Sequence, residues 1–535
     1  MSEQTWFVRR ATGLVRSIGL LDAFIINFGW TGATFSISLA FMISQSLWAY
    51  PQSHFGIAQI ITFVLVLLGS TIPYALLSIA MPRAGGDYVF NSRILHPMVG
   101  FVASFMMMTM LSFFVAWGAY WGGAQALAST LANLGYVMNV PGLVTVSEWL
   151  AGTVGAFIFS TVLIILFGVV VLAGIRAFIR LNQVLLVVGF LGLVIGLSLL
   201  AVSSRQQFVS NLNQFMSLFT TTPDYYNLVI QTAQENGYLS HGWTFAQTIA
   251  ILPIVAFSSL FAVGTVYVGG EVRNVGRTQL IGMSLGLATL ATLNALIYVL
   301  LLKVTGQEFL GAANYLWYEG TLPDLPLNPF FNLFILVLTK NPLFLVLVGL
   351  GYFAMSVLFV PMNIFLNTRM VFAWTFDRIL PELFAQVHPR THSPTYATLL
   401  VMAIAEIFLA IFAFTPWLST LGAIAGTMLT FICTSLAAAI FPFRRPSLFR
   451  SSPIARYTIK GIPLISVCGA IGVIYLTATE VAYLVNDKYL VNSPSGLAII
   501  GGLIIIAFLI YMIAQFVQRR RGVDFSMLAQ EIPPE

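Results

Sequence analysis

Charged residues are scarce in this chain of 535 residues. Lys, Arg, Asp and Glu together make up 8% of it, whereas apolar residues make up 59%. A soluble domain carries about 25% charged and about 45–50% apolar residues. The balance therefore excludes an ordinary soluble enzyme and a disordered chain. The net charge of +6 is spread along the sequence and not gathered in one basic patch, which excludes a nucleic-acid binder. A polytopic membrane protein remains.

Residues that usually build chemical sites are also few. The two cysteines, Cys433 and Cys468, lie in apolar runs, so no disulfide framework is expected. All five histidines lie in polar connecting segments, and none of the four lysines precedes Ser or Thr. The absence of a Lys-Ser or Lys-Thr pair excludes a P-loop, and therefore an ATP-driven pump within this chain. We expect no metal, no cofactor and no enzymatic activity. A channel is not favoured either, because the sequence contains no repeated filter segment and no charged ring.

Long apolar runs separated by short polar links dominate the sequence. They suffice for twelve membrane-spanning helices of about 20 residues each. We therefore predict an all-α polytopic membrane protein with twelve transmembrane helices. The predicted spans are 17–45, 57–80, 97–132, 150–174, 181–203, 246–270, 279–303, 341–372, 394–414, 416–442, 462–484 and 495–518.

The distribution of Lys and Arg orients these spans. With a cytoplasmic N-terminus, 20 of the 24 Lys and Arg residues fall in cytoplasmic segments. The exceptions are Arg205, Lys303, Lys340 and Lys488. Because cytoplasmic loops of membrane proteins are enriched in basic residues, we predict a multi-pass plasma-membrane protein with both termini cytoplasmic.

Spans one to five and six to ten form two blocks of nearly equal length. Each block has an odd number of spans, so the two lie in opposite orientations, as an inverted repeat requires. The predicted segments are a cytoplasmic N-terminus (1–16), a first five-helix repeat (17–203), an extracellular loop (204–245), a second, inverted five-helix repeat (246–442), a cytoplasmic basic loop (443–461), helices 11 and 12 (462–518) and a cytoplasmic tail (519–535).

The first span of each block contains residues that weaken a helix. Residues 27–32 read N-F-G-W-T-G, and residues 258–264 read S-S-L-F-A-V-G. Glycine costs about 1 kcal/mol in a helix interior, and Ser, Thr and Asn compete for backbone hydrogen bonds. A broken backbone in lipid is costly unless it lines a cavity. We predict that helices 1 and 6 are unwound at mid-membrane. The alternative is that these glycines only allow close helix packing.

Unwound helices offer a way to bind a small zwitterion without charged side chains. The free N–H groups at a helix N-terminus attract a carboxylate, and the carbonyls that end a half-helix attract an ammonium group. An α-amino acid presents both. The predicted substrate-binding residues are Asn27, Gly29, Trp30, Thr31, Gly32, Ser258, Ser259, Phe261 and Gly264. Phe257, Trp117, Tyr120 and Trp121 are further aromatic candidates.

Three cytoplasmic links carry motifs that resemble those of one transporter family. Residues 82–88 (P-R-A-G-G-D-Y) resemble its P-x-x-G-G-x-Y loop. Residues 270–277 (G-E-V-R-N-V-G-R) resemble G-E-V-x-N-P-x-R, with Val275 at the proline position. Residues 368–381 resemble a segment that begins Ser-Arg and ends Asp-Gly-x-Leu-Pro, with Arg378 replacing the glycine. In this order, the motifs resemble the amino acid–polyamine–organocation (APC) superfamily of permeases.

The resemblance implies the LeuT-type fold, a 5+5 inverted repeat followed here by two C-terminal helices. It also implies secondary active transport of amino acids by alternating access. The alternatives are an amine, polyamine or nucleobase carrier, or an amino acid exchanger, on the same scaffold. Partners are then the amino acid and the lipid bilayer, with no nucleic acid. The oligomeric state stays open.

The coupling ion also stays open between H⁺ and Na⁺. Many proton-linked relatives carry a lysine in span five, but residues 181–203 contain no charged residue. Sodium-linked relatives use hydroxyl groups on span eight, where Ser356 is available. Glu406 lies deep in span nine, and a carboxylate at that depth is costly and often functional. Ser356 and Glu406 are therefore the candidates for ion coupling.

Overall fold

The protein is a mostly helical membrane protein in the computed structural model. The structure describes residues 16–238, 242–323, 328–415, 423–489 and 491–522. Ten helices in these ranges are long and apolar enough to cross a membrane. They correspond to ten of the twelve predicted spans. Predicted spans one and six consist of shorter apolar helices instead.

The first half of the described chain contains ten helices. In chain order they are α1 (Leu20–Thr31), α2 (Ile37–Ala49), α3 (Phe55–Ala80), α4 (Asp87–Ile94), α5 (Pro97–Val137), α6 (Pro141–Ala151), α7 (Thr153–Leu172), α8 (Ile175–Val202), α9 (Arg205–Met216) and α10 (Tyr225–Glu235). Helices α3 and α5 each contain a stretch of π-helix, at Leu67–Thr71 and Gly118–Gln125.

The second half begins with α11 (Phe245–Leu260), which has a turn at Ile251. It continues with α12 (Val275–Thr305), α13 (Gln307–Glu319), α14 (Phe331–Leu336), α15 (Pro342–Phe376), α16 (Thr395–Phe414), α17 (Ala423–Arg444), α18 (Pro446–Ser451), α19 (Leu464–Val485) and α20 (Pro494–Arg520). A short antiparallel hairpin, β1 (Thr458–Ile459) and β2 (Ile462–Pro463), precedes α19.

Exposed apolar side chains on the long helices are typical of a surface that faces lipid. Val162, Val187, Ile474, Ile505 and Phe516 are each at least half exposed. In water such a surface would be unfavourable, whereas hydrocarbon solvates it. The chain is therefore a multi-pass membrane protein.

The interruption of the first span lies later in the sequence than predicted. Residues 27–31 are helical, and α1 ends at Thr31, followed by the C-cap Gly32 in a left-handed conformation with φ +56°. The chain then runs without regular structure to Ser36, whose hydroxyl caps α2 by accepting from the Leu39 N–H. The prediction of a break at 27–32 was therefore wrong in position: the interruption occupies 32–36.

The interruption of the sixth span overlaps the predicted stretch. Helix α11 ends at Leu260, and Phe261 is its C-cap. After a turn at 261–263 the chain continues as two short 3₁₀ segments, Gly264–Tyr267 and Gly269–Glu271. Only Ser258, Ser259 and Leu260 of the predicted stretch remain α-helical.

Several predicted segments differ from the structure in detail. The predicted extracellular loop at 204–245 contains α9 and α10, so it is largely helical. The third predicted span, 97–132, extends to Val137. Most of the predicted N-terminal segment 1–16, most of the tail 519–535 and the first residues of the tenth predicted span, 416–422, lie outside the described residues.

Candidate functional site

A cavity of about 360 Å³ lies between the two interrupted helices and their neighbours. Ten of the sixteen residues that line it are aromatic, and five are uncharged polar residues. The lining residues are Trp30, Thr31, Ser38, Phe41, Met42, Gln45, Phe113, Phe114, Trp117, Trp121, Phe257, Ser258, Phe261, Phe359, Asn363 and Phe412. The described lining contains no charged residue.

The interruption of the first span places the end of α1 and the start of α2 at this cavity. Trp30 and Thr31 come from the last turn of α1, and Ser38 comes from the first turn of α2. Gln45 lies seven residues beyond Ser38, which is about 10 Å along a helix. The cavity therefore extends along α2, away from α1. The end of α11 closes another side with Ser258 and Phe261.

Trp30 is the centre of the aromatic lining. It is 1% exposed, and its indole Nε1 donates a 2.7 Å hydrogen bond to the side-chain Oδ1 of Asn363. Its ring makes edge contacts with Phe261 at 4.9 Å and Tyr267 at 5.4 Å between centroids. A buried indole N–H needs an acceptor, so the bond to Asn363 fixes the orientation of Trp30.

Asn363 also presents a polar group to the cavity. Its Oδ1 is occupied by Trp30, whereas its Nδ2 donates to no acceptor in the described chain. Because Asn363 lines the cavity, this amide donor is available to a bound molecule. By contrast, the Thr31 hydroxyl already donates to the Phe28 carbonyl at 2.6 Å. The Ser258 hydroxyl points to the Val255 carbonyl at 3.4 Å.

Four of the nine predicted substrate-binding residues line the cavity, namely Trp30, Thr31, Ser258 and Phe261. Gly32 does not line it but packs against Phe359, which does. A Cβ atom at Gly32 would lie 2.6 Å from the Phe359 ring. Gly32 therefore allows the close approach of the interrupted helix to α15.

The other four predicted binding residues, Asn27, Gly29, Ser259 and Gly264, lie outside the cavity lining. A Cβ at Gly29 would meet Met362, and one at Gly264 would touch Trp30. The Ser259 hydroxyl accepts a hydrogen bond from Gln59 at 3.2 Å. These positions lie behind the cavity lining and support its walls.

Asn27 joins the two interrupted helices behind the cavity. Its Oδ1 accepts from the backbone N–H of Thr265 at 2.9 Å and from the Thr265 hydroxyl at 3.1 Å. Thr265 in turn contacts Gln279, which donates to Ser78 at 2.9 Å. This buried network ties α1 to the 3₁₀ segment after α11, to α12 and to α3. It explains how α1 remains helical through Asn27.

The two predicted ion-coupling residues are not brought into the cavity. The Ser356 hydroxyl accepts from the backbone N–H of Ile37 at 2.9 Å and so helps to cap α2. Glu406 lies between α16 and α7, where it accepts from the Thr161 hydroxyl at 3.1 Å. Their coupling roles remain predictions.

The sequence alone did not identify several lining residues. Phe41, Gln45, Asn363 and Phe412 come from parts of three different helices, and no local motif marks them. Phe257, Trp117 and Trp121, which the sequence offered as aromatic candidates, do line the cavity, whereas Tyr120 does not. The available signal was the high aromatic content, 14% of the chain, which does not by itself select positions.

Backbone bridges and ion pairs connect the segments that carry the three sequence motifs. We call the surface formed by residues 82–93, 268–277 and 369–378 the basic face. Ile18 pairs with Val272, and Ala84 pairs with Val268, through isolated β-bridges. None of the residues that line the cavity belongs to this face. The cavity is thus separated from the basic face by packed chain.

Two buried ion pairs strengthen the basic face. Arg93 binds Asp377 through two hydrogen bonds of 2.6 and 2.8 Å. Arg369 binds Glu271 at 3.1 Å, with both side chains no more than 3% exposed. A buried charged side chain is stable only when a partner of opposite charge compensates it. The Arg369–Glu271 pair connects α15 to the 3₁₀ segment that follows α11.

Comparison with known proteins identifies the family. The sequence model of a family described as amino acid permease matches residues 18–514, which includes both interrupted helices and all three motifs. Comparison with curated proteins gives no match. A match over most of the chain, together with the polytopic helical fold, establishes what the protein is. The chain belongs to the amino acid permease family of the APC superfamily and is a transporter of amino acids.

Proposed function

We propose that this permease carries uncharged amino acids with large apolar side chains across the plasma membrane by alternating access. The observation that carries the proposal is the cavity between two interrupted helices, lined mainly by aromatic rings and separated from the basic face. Its volume of about 360 Å³ lies within the usual range for small-molecule sites.

The chemistry of the lining favours a bulky apolar side chain. Aromatic rings bury large apolar surface and stack on other rings at about 0.5–1.5 kcal/mol beyond area burial. A charged side chain would lose its hydration without gaining an opposite charge, because the described lining has none. We therefore expect phenylalanine, tryptophan or leucine to bind better than arginine, lysine or glutamate.

The interruption at 32–36 supplies groups for the α-carboxylate. The backbone N–H groups of Ala33, Thr34 and Phe35 donate no hydrogen bond within the described chain. They follow the lining residue Thr31 and precede Ser38. These N–H groups precede Ser36, the N-cap of α2, and therefore lie near the positive end of the α2 dipole, which favours an anion. We assign the carboxylate to this segment.

The end of α1 supplies groups for the α-ammonium. The carbonyls of Trp30 and Thr31 accept no hydrogen bond in the described chain, because α1 ends at Thr31. Oriented carbonyls and aromatic faces both attract a cation. An amine without a carboxylate would leave the N–H groups of 33–35 unmatched, which disfavours an amine carrier.

The proposed topology is a 5+5 inverted repeat with twelve crossings and two appended C-terminal helices. It is supported by the similar position of the interruptions, each in the first span of a five-span block. The excess of basic residues on one set of loops supports cytoplasmic termini. In this orientation the basic face is cytoplasmic and the cavity lies on its extracellular side.

Uptake by proteoliposomes tests the proposal. We expect saturable uptake of phenylalanine, competition by tryptophan and leucine, and weak competition by arginine and glutamate. Counterflow, in which unlabelled internal substrate accelerates labelled uptake, separates a carrier from a channel. Preference for a charged amino acid would overturn the substrate assignment. Flux that does not saturate would overturn alternating access.

A further inference from the structure

Asp87 differs from the other buried acidic residues of the basic face. Glu271 and Asp377 each bind an arginine, whereas Asp87 has no cationic partner among the described residues. Asp87 is 0% exposed. Its Oδ2 accepts a hydrogen bond from the Tyr267 hydroxyl, and its Oδ1 is buried without a partner. An unpaired buried carboxylate is costly when ionised.

We propose that Asp87 is a proton-binding site that controls the opening of the basic face, with the carboxyl neutral while the face is closed and ionised once it opens. The proton is exchanged with the solvent on the basic face, since Asp87 does not line the cavity. The inference goes beyond substrate transport, but it rests on the alternating access proposed above.

The position of Asp87 connects this site to the substrate cavity. Tyr267 belongs to the 3₁₀ segment directly after the interruption of the sixth span. The loop before Asp87 is hydrogen-bonded to the same segment, because the Gly85 N–H donates to the Tyr267 carbonyl at 3.0 Å. Tyr267 also packs edge-on against Trp30, which lines the cavity. Asp87 is thus two contacts from the cavity.

The groups around Asp87 are either neutral at ordinary pH or paired with an opposite charge. Tyr74 from α3 and Cys433 from α17 are within electrostatic range of the carboxyl. Tyr88 follows it in the chain and donates its hydroxyl to Asp377. The arginines at 93 and 369 are engaged by Asp377 and Glu271. Among the buried acidic residues of the described face, Asp87 is therefore the one whose negative charge no arginine compensates, and protonation removes this charge.

The direction of the pH effect follows from burial. Desolvation raises the pKa of Asp87 from 3.8 to about 7, against the opposing hydrogen bond from the Tyr267 hydroxyl. In the open face, hydration returns the pKa towards its ordinary value. Between about pH 4 and pH 7 the closed form therefore binds more protons than the open form. Acid favours closure, and the open fraction rises with pH until about 7.

Spin labels on the basic face and on the segment that follows α15 test this linkage directly. We place them at Gly276→Cys and Glu382→Cys, both at exposed positions, in a background with Cys433→Ala and Cys468→Ala. Pulsed electron paramagnetic resonance then gives the distance distribution in lipid nanodiscs from pH 4.5 to 8.5. We expect two populations, with the open-to-closed ratio rising by up to tenfold per pH unit below pH 7 and constant above it.

Two variants decide whether Asp87 is the group that titrates. Asp87→Asn is nearly isosteric and permanently neutral, so it should be mostly closed with no dependence on pH. Asp377→Asn, the matched change at an arginine-paired carboxylate, should keep the pH dependence. Tyr267→Phe should shift the rise to higher pH, because it removes a hydrogen bond to the ionised form.

The possible failures are distinguishable. Two populations whose ratio does not change with pH would overturn the role of Asp87 and leave alternating access intact. If the population ratio of Asp87→Asn still depends on pH, the role of Asp87 is likewise overturned and alternating access is left intact. A single population under all conditions, with and without phenylalanine, would contradict alternating access itself. Thermal unfolding of each variant, measured in parallel, tests whether a change in distance is caused by unfolding.

Discussion

The indole of Trp30 and the carboxamide of Asn363 are joined by a 2.7 Å hydrogen bond between α1 and α15. The bond holds a large ring at the end of an interrupted helix and directs the remaining amide donor of Asn363 towards the cavity. The two residues are 333 positions apart in the sequence, and together they define one wall of the candidate site.

Replacement of Asn363 should affect both the packing of the cavity wall and the binding of the ligand. Asn363→Leu keeps the side-chain size but leaves the buried Trp30 N–H without an acceptor, which costs about 1–3 kcal/mol. We expect the apparent Km for phenylalanine uptake to rise at least tenfold. Asn363→Asp, which retains an acceptor for Trp30, serves as the comparison. Equal uptake by wild type and Asn363→Leu would remove this residue from the site.

Gly32 should tolerate no larger residue. Its φ of +56° is unfavourable for other residues, and a Cβ would lie 2.6 Å from the Phe359 ring. Gly32→Leu should therefore abolish uptake while the protein still inserts into the membrane. Gly501→Leu is the matched control, because nothing lies within 4 Å of a Cβ there. Uptake unchanged by Gly32→Leu would separate this interruption from transport.

The Arg369–Glu271 pair should stabilise the closed basic face. Glu271→Gln leaves a buried guanidinium without its partner, and breaking such a pair costs about 3–5 kcal/mol. We expect a lower melting temperature and a larger population with the basic face open. The double variant Glu271→Gln/Arg369→Gln should recover part of the lost stability. If the double variant is less stable than Glu271→Gln alone, the two residues do not act as a pair.

Glu406 should be dispensable for transport. It lies outside the cavity and accepts a hydrogen bond from Thr161, which glutamine can also accept. Glu406→Gln should therefore retain uptake within about twofold of wild type at pH 6 and pH 8. Loss of the response of uptake to pH in this variant would instead identify Glu406 as a proton site.

The sequence predicted the presence of the two interruptions better than their positions. Glycine, serine and asparagine weaken a helix wherever they occur, so residues 27–32 marked a region and not a boundary. The boundary depends on tertiary partners. Asn27 is bound by Thr265, and α1 continues past it. The chain leaves the helix only at Gly32, where the left-handed conformation and the approach of Phe359 coincide.

The cavity itself was only partly predictable. Trp30, Thr31, Ser258 and Phe261 lie next to the interruptions, and reasoning about helix ends selected them. Asn363 and Phe412 lie within α15 and α16, where the sequence shows only an apolar span. Their roles arise from how distant helices pack, and a single sequence carries no information about such pairs.

The central claim is that an amino acid binds between the two interrupted helices, against Trp30 and Phe261. A cryo-electron microscopy map of the protein in nanodiscs saturated with phenylalanine tests it most directly. We predict density for the aromatic side chain among the cavity rings and for the carboxylate at the N–H groups of residues 33–35. An empty cavity with phenylalanine bound elsewhere would contradict the account.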